Sequence, residues 1–239
     1  MLRKNLSDYN EHSLQQLGRR IAFFRHLADS DPGQLQCLLS HSVMIELEPG
    51  EVLIEKGTRG SEFYALAEGQ LAIFPEKRLA DTAICELWPG QLVGVLAMLN
   101  QQPRTATVAV SSLAGATVFA TDFRRFGALE DFSVISLSSK LALLREVVGH
   151  IHATLRQCER DVPDAGLSNE LATLTDFAGR PGSLDELEHL AEQAAGMVWL
   201  LDCWNQRLPA RVPMFSEQQL EQQLAGLLQR SAAAGKTLR

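Results

Sequence analysis

The chain has 239 residues, with 22 Lys and Arg against 29 Asp and Glu, for a formal net charge of −7. That length suits one ordinary domain with an appendage, and 46% hydrophobic with 21% charged residues excludes a disordered chain or a charge-rich rod. The acidic balance repels phosphate backbones over most of the surface, so contact with nucleic acid would require a local basic patch. Cys37, Cys85, Cys158 and Cys203 form no CxxC pair, which points to reduced thiols rather than a zinc knuckle or a disulfide framework. Residues 1–17 scatter Arg3, Lys4, Asp8, Glu11 and His12 among apolar positions, and the apolar run Gly196 to Leu201 is far too short to cross a bilayer. A soluble, cytoplasmic protein without membrane contact is expected.

From Leu14 to Leu39 the apolar residues Leu14, Leu17, Ile21, Phe24, Leu27, Leu35, Leu38 and Leu39 recur at helical spacing, and Asp31-Pro32 breaks the run, so short helices are predicted. From Val43 to Ala120 the pattern changes to short β-type runs closed by Pro49-Gly50, Gly57 to Gly60, Glu68-Gly69 and Pro89-Gly90. This predicts a small sandwich or jelly roll. Past Phe123 the residues Val134, Leu137, Leu141, Leu144, Val148, Ile151, Leu155 and Cys158 alternate at intervals of three and four, the a/d seam of a helix that meets another helix. The narrow seam predicts a parallel homodimer through Leu137, Leu141, Leu144, Val148, Ile151 and Leu155, with Pro163 ending the helix. Beyond it Ser183 with Glu186, and Ser216 with Gln219, are spaced as capping boxes at two further helix starts. Leu184, Leu187, Leu190, Ala194, Val198 and Leu201, then Leu220, Leu224, Leu227 and Leu228, give these helices apolar faces, and Trp199 and Trp204 read as core rather than interface.

The most informative stretch runs from Leu92 through Gly94 and the turn Leu96 to Leu99 to Pro103-Arg104-Thr105-Ala106. It resembles the phosphate-binding cassette of cyclic-nucleotide-binding domains, of the catabolite-activator type, and Leu47 to Glu51, Gly57 to Tyr64 and Glu68 to Leu71 are similar to that family's barrel turns. The resemblance covers roughly Phe23 to Phe132. It implies an α+β fold: a cyclic-nucleotide-binding-like β jelly roll with flanking helices in 1–132, a long dimerisation helix in 133–162 and an all-helical C-terminal output region in 163–239. It implies a ligand site of Gly94, Val95, Leu96, Ala97, Arg104 and Thr105, with cAMP or cGMP as the ligand. Free amides after Gly94 and the Arg104 fork would take an anion. The family's glutamate, which accepts a hydrogen bond from the ribose 2′-hydroxyl, is replaced by Val95, so the resemblance implies weakened binding of a cyclic nucleotide or a different anionic ligand. Removing Arg104 is expected to abolish anion binding with little effect on folding. The family's base-contacting threonine and serine fall on Val148 and Gly149, which donate nothing.

No catalytic constellation is found. His26, His41, His150, His152 and His189 do not cluster as a metal-dependent barrel enzyme requires, and neither a GxSxG elbow nor an HExxH helix is present. Between Ile151 and Arg239 eight basic residues face twelve acidic ones, and the helix starting at Ser216 opens with Glu217 and Glu221. Both features speak against a DNA-recognition helix. The sequence therefore predicts a non-enzymatic sensor protein in signal transduction that signals to a protein partner through its C-terminal helices. The alternatives are a divergent DNA-binding transcription regulator and a ligand-free interaction scaffold.

Overall fold

The structure is a computed structural model that describes residues 1–6, 16, 18–74, 82–83, 85–95, 103–207 and 212–213. The expectations placed on Leu14, Leu17, the Leu96 to Leu99 turn, the Ser216 capping box and the Leu220 to Leu228 face lie outside the described residues.

Among the described residues two short helices precede the barrel, α1 (Ala22–Ser30) and α2 (Pro32–Ser40). The break falls at Asp31-Pro32 as expected: Asp31 accepts a hydrogen bond from the Gln34 amide at 3.1 Å, and Pro32 occupies the first turn, where no amide partner is needed. The strands are β1 (Leu2–Asn5), β2 (Ser42–Leu47), β3 (Val52–Ile54), β4 (Glu62–Glu68), β5 (Leu71–Phe74), β6 (Thr82–Ala83), β7 (Cys85–Leu87), β8 (Leu92–Val93), β9 (Thr107–Val110) and β10 (Ala116–Asp122). They form a five-stranded sheet in the order β1-β2-β10-β4-β8 and a four-stranded sheet β3-β9-β5-β7, with antiparallel pairing throughout. This is the anticipated jelly-roll texture of short strands joined by glycine turns. Gly69 shows why: its φ is +83° and an added Cβ would lie 2.2 Å from the Gly115 carbonyl, so the β4–β5 turn admits no side chain.

The central strands β4 and β10 of the larger sheet are buried on both faces, which is why they read as nearly continuous apolar runs. Alternate residues go to opposite sides: Ile45, Leu66 and Val118 face the second sheet with Leu71, Val108 and Val110, whereas Met44, Phe63, Ala65 and Phe119 face the helices. On that outer side Phe24 stands edge-on to Phe119 at 5.3 Å, and Phe63 meets Phe126 of a 3-10 turn (Phe123–Phe126) at 5.9 Å.

Among the described residues three helices follow, α3 (Leu137–Asp161), α4 (Ala165–Thr173) and α5 (Leu184–Asn205). The helix α3 ends before Pro163, as expected, and Asp164 caps α4 by accepting from the Leu167 amide. Ser183 accepts from the Glu186 amide, and the Glu186 carboxylate returns to the Gly182 amide at 2.6 Å, a capping box displaced by one residue. A two-residue strand, β11 (Val212–Pro213), pairs with β6 and interrupts the helical texture of the C-terminal region.

The predicted seam is real, but in the structure it meets a helix of the same chain. Leu141 and Leu144 pack with Leu187 and Leu190 of α5, and Leu137 and Val148 join that cluster. Ile151 and Leu155 enter the core shared with the barrel. Arg145 grips Glu186 near the start of both helices, and the Trp204 indole donates to the Val162 carbonyl near their ends, so α3 and α5 run side by side in one direction. Within one chain α5 meets this stripe, the helical partner that an a/d pattern specifies. The two tryptophans also divide, Trp204 being fully buried and Trp199 57% exposed. Leu167, Leu171, Met197 and Leu200 share one core with Phe63 and Phe119, so the C-terminal helices pack on the barrel.

Candidate functional site

Arg104 lies immediately before β9 and is tied to the Gly57 to Gly60 turn by its own main chain. Its amide donates to the Thr58 carbonyl at 2.9 Å, and its carbonyl accepts from the Gly57 amide at 2.7 Å. The side chain is 95% removed from solvent and runs between two glycines. A Cβ on Gly60 would sit 2.7 Å from Nη2, and one on Gly94, whose φ is +84°, would sit 2.7 Å from Nη1. Only the smallest residue leaves room for the guanidinium at either point. Nη1 donates to the Gly94 carbonyl, and Nη2 donates to the Glu62 carbonyl at 2.5 Å.

The guanidinium thus closes a cradle built from the ends of β3, β4 and β8. Burial lowers the Arg104 pKa, while nearby Tyr64 and Glu62 act in the opposite direction. Arginine remains cationic in such a place because its unperturbed value lies far above neutral pH. Tyr64 is pushed up, first by burial and then by Glu62, with Arg104 and Arg3 pulling against the shift, so its hydroxyl stays protonated. That hydroxyl donates to Glu62 Oε2 at 3.3 Å, and Arg3 pairs with the same carboxylate through both terminal nitrogens, at 2.8 and 2.5 Å.

Of the residues anticipated for the ligand site, Gly94 and Arg104 are brought together. Thr105 is half-buried beside Arg104. Val95 is buried in the main core with Leu92 and Phe63, and Leu96 and Ala97 lie outside the described residues. The Arg104 side chain serves two main-chain carbonyls, which argues against the expectation that it can be removed at little cost to folding. Sequence reasoning missed Gly60 and Glu62, although both lie in the Gly57 to Tyr64 turn that it marked. Glu62 acts on Arg104 through a main-chain oxygen, which no residue type advertises.

A second cation is also held by main chain. Lys140 donates to the carbonyls of Ala128, Leu129 and Asp131 at 2.6, 3.1 and 2.6 Å and lies 5.2 Å from the Phe132 ring centre. Burial lowers its pKa and Asp131 opposes the shift. This contact fastens the start of α3 to the segment that leaves the barrel. The Cys85 thiol is pushed up to about 12, first by burial and then by Cys158 and Glu86, so it is not a nucleophile at neutral pH. Among the described residues no group of three His, Cys, Asp or Glu side chains could hold a metal ion, and no helix is long and apolar enough to cross a membrane.

An antiparallel β-roll flanked by helices, with a buried arginine framed by glycines at the ends of its strands, defines the class of fold. Residues 44–128 match the model of the family described as Cyclic nucleotide-binding domain. It is similar to the cAMP-dependent protein kinase regulatory subunit of Mycosarcoma maydis, 42% identical over 72 residues, covering 30% of this chain and 13% of that protein. It is also similar to Acetyltransferase Pat of Mycolicibacterium smegmatis, 30% identical over 77 residues, covering 32% of this chain and 23% of that one. The chain thus spans well under a third of the length of these curated relatives. Among solved structures, the sensor domain of the transcriptional regulator DNR from Pseudomonas aeruginosa matches with a TM-score of 0.44 at 22% identity, covering 64% of this chain and 96% of that one. The regulatory domain of Toxoplasma gondii PKA with cAMP matches with a TM-score of 0.43 at 21% identity, covering 68% and 58%.

Proposed function

We propose that the chain is a regulatory sensor whose β-roll accepts a cyclic nucleotide, or another ligand carrying a phosphodiester-like anion, at Arg104. The observation that carries this reading is the cradle: a buried cation framed by Gly60 and Gly94, in the stretch that matches the cyclic nucleotide-binding domain family. A bidentate guanidinium suits a phosphate bearing two free oxygens. An arriving anion competes with the Gly94 and Glu62 carbonyls for the guanidinium, so binding is coupled to the ends of β8 and β4. Those strands pack through Phe63 and Leu92 on the same core as α3 and α5. Ligand that favours one packing of these helices shifts the population toward it, and a protein partner reads the outcome from the C-terminal helices. The role is regulatory rather than catalytic, and the setting is the cytoplasm.

Calorimetric titration with cAMP and with cGMP, run on the wild type and on Arg104→Lys, tests the site. Saturable heat from the wild type that falls at least tenfold in affinity in Arg104→Lys is expected, because lysine keeps the charge but loses the fork. Equal binding by the two proteins, or no heat from either nucleotide, would overturn the assignment.

A further inference from the structure

The carboxylate of Glu62, like the Tyr64 hydroxyl, lies in electrostatic reach of Arg104, and its charge would repel an anion that approaches the same guanidinium. In the structure it is turned to other partners. Arg3, on the N-terminal edge strand β1, holds it with two nitrogens, and the Tyr64 hydroxyl donates to Oε2. Arg124 also feels Glu62, but its guanidinium is engaged by Asp122 through Nε and Nη2 at 2.6 to 3.0 Å. Main chain and side chain of Glu62 thus do different work: the carbonyl anchors Arg104 while the carboxylate is neutralised by Arg3.

We infer that Arg3 is a positioning residue for anion binding at Arg104, keeping the Glu62 charge away from both the guanidinium and the incoming ligand. This rests on Arg104 being the anion receptor. Without Arg3, the Glu62 carboxylate is free to pair with Arg104 itself, a closed state that an anion must displace. Because the Arg3 side chain is 47% exposed and that of Glu62 22%, water screens the pair and the effect is a few-fold change rather than a loss.

The test is a double-mutant cycle of cAMP affinity with wild type, Arg3→Ala, Glu62→Gln and Arg3→Ala/Glu62→Gln, and with Arg104→Lys as the site control. Arg3→Ala is expected to weaken binding about three- to fivefold. In the Glu62→Gln background the same substitution is expected to change affinity by less than about twofold, since no carboxylate remains to be held. Wild-type affinity in Arg3→Ala would overturn the inference. So would an equal loss in both backgrounds, which would show that Arg3 acts only by seating β1. Wild-type binding that is absent, or that Arg104→Lys leaves unchanged, would overturn the site itself and this inference with it.

Discussion

Arg104 carries two burdens at once. It is the proposed anion receptor, and it satisfies the part-buried Glu62 and Gly94 carbonyls. Leaving a buried carbonyl unpaired costs about 1–3 kcal/mol. Arg104→Ala is therefore expected to lose at least about 2 kcal/mol of unfolding free energy in a urea titration, with Arg104→Lys losing less. Wild-type stability in Arg104→Ala would show that the cradle does not depend on the side chain. The arginine and Gly94 were legible in the sequence because the family resemblance depends on those residue types at that spacing. Gly60 and Glu62 were not singled out, since each acts through what its backbone offers, bare space in one case and an oxygen in the other.

At the scale of elements, turn chemistry was the most legible signal. Asp31-Pro32, Glu68-Gly69 and Pro163 each end an element where the sequence said they should, for reasons local to a few residues. The seam of α3 was legible as a helix contact, but periodicity records that a stripe is covered and not which chain covers it. This distinction is measurable. Leu144 is buried against Leu187 and Leu190 of the same chain, so Leu144→Ala is expected to cost about 2–5 kcal/mol in stability with no dependence on protein concentration. A midpoint that rises with concentration would restore the intermolecular seam.

The junction between the barrel and α3 supplies a pH prediction of the same scale. The Trp88 amide donates to Gln91 Oε1 at 2.6 Å, which turns the Gln91 amino group toward His150 Nδ1 at 3.4 Å. That nitrogen must then accept, and burial independently lowers the His150 pKa. With the folded pKa below the usual value near 6.5, the folded state holds fewer protons than the unfolded one. The contribution is present in full above about pH 6.5 and is lost as pH falls through the folded value. NMR titration should place the His150 imidazole below the usual midpoint, and His150→Gln should flatten stability between neutral and mildly acidic pH. An ordinary midpoint for His150 would contradict this account.

Across the whole molecule, composition bounded the class and the strand texture gave the β-roll, but neither could show that the C-terminal helices share its core. That outcome depends on contacts such as Trp204 with Val162 and Leu171 with the barrel cluster, which join residues far apart in the chain. The shared core gives the proposed ligand site a physical route to the helices, since Gly94 directly follows the strand that bears Leu92, and Glu62 and Phe63 are neighbours on β4. The central claim is that an anion takes Arg104 from its two carbonyls. A crystal structure of the full chain grown with cAMP tests it most directly. The account predicts a phosphate oxygen within hydrogen-bond distance of the Arg104 guanidinium, with at least one of the bonds to Gly94 and Glu62 broken. Nucleotide bound elsewhere, with Arg104 still on both carbonyls, would contradict it.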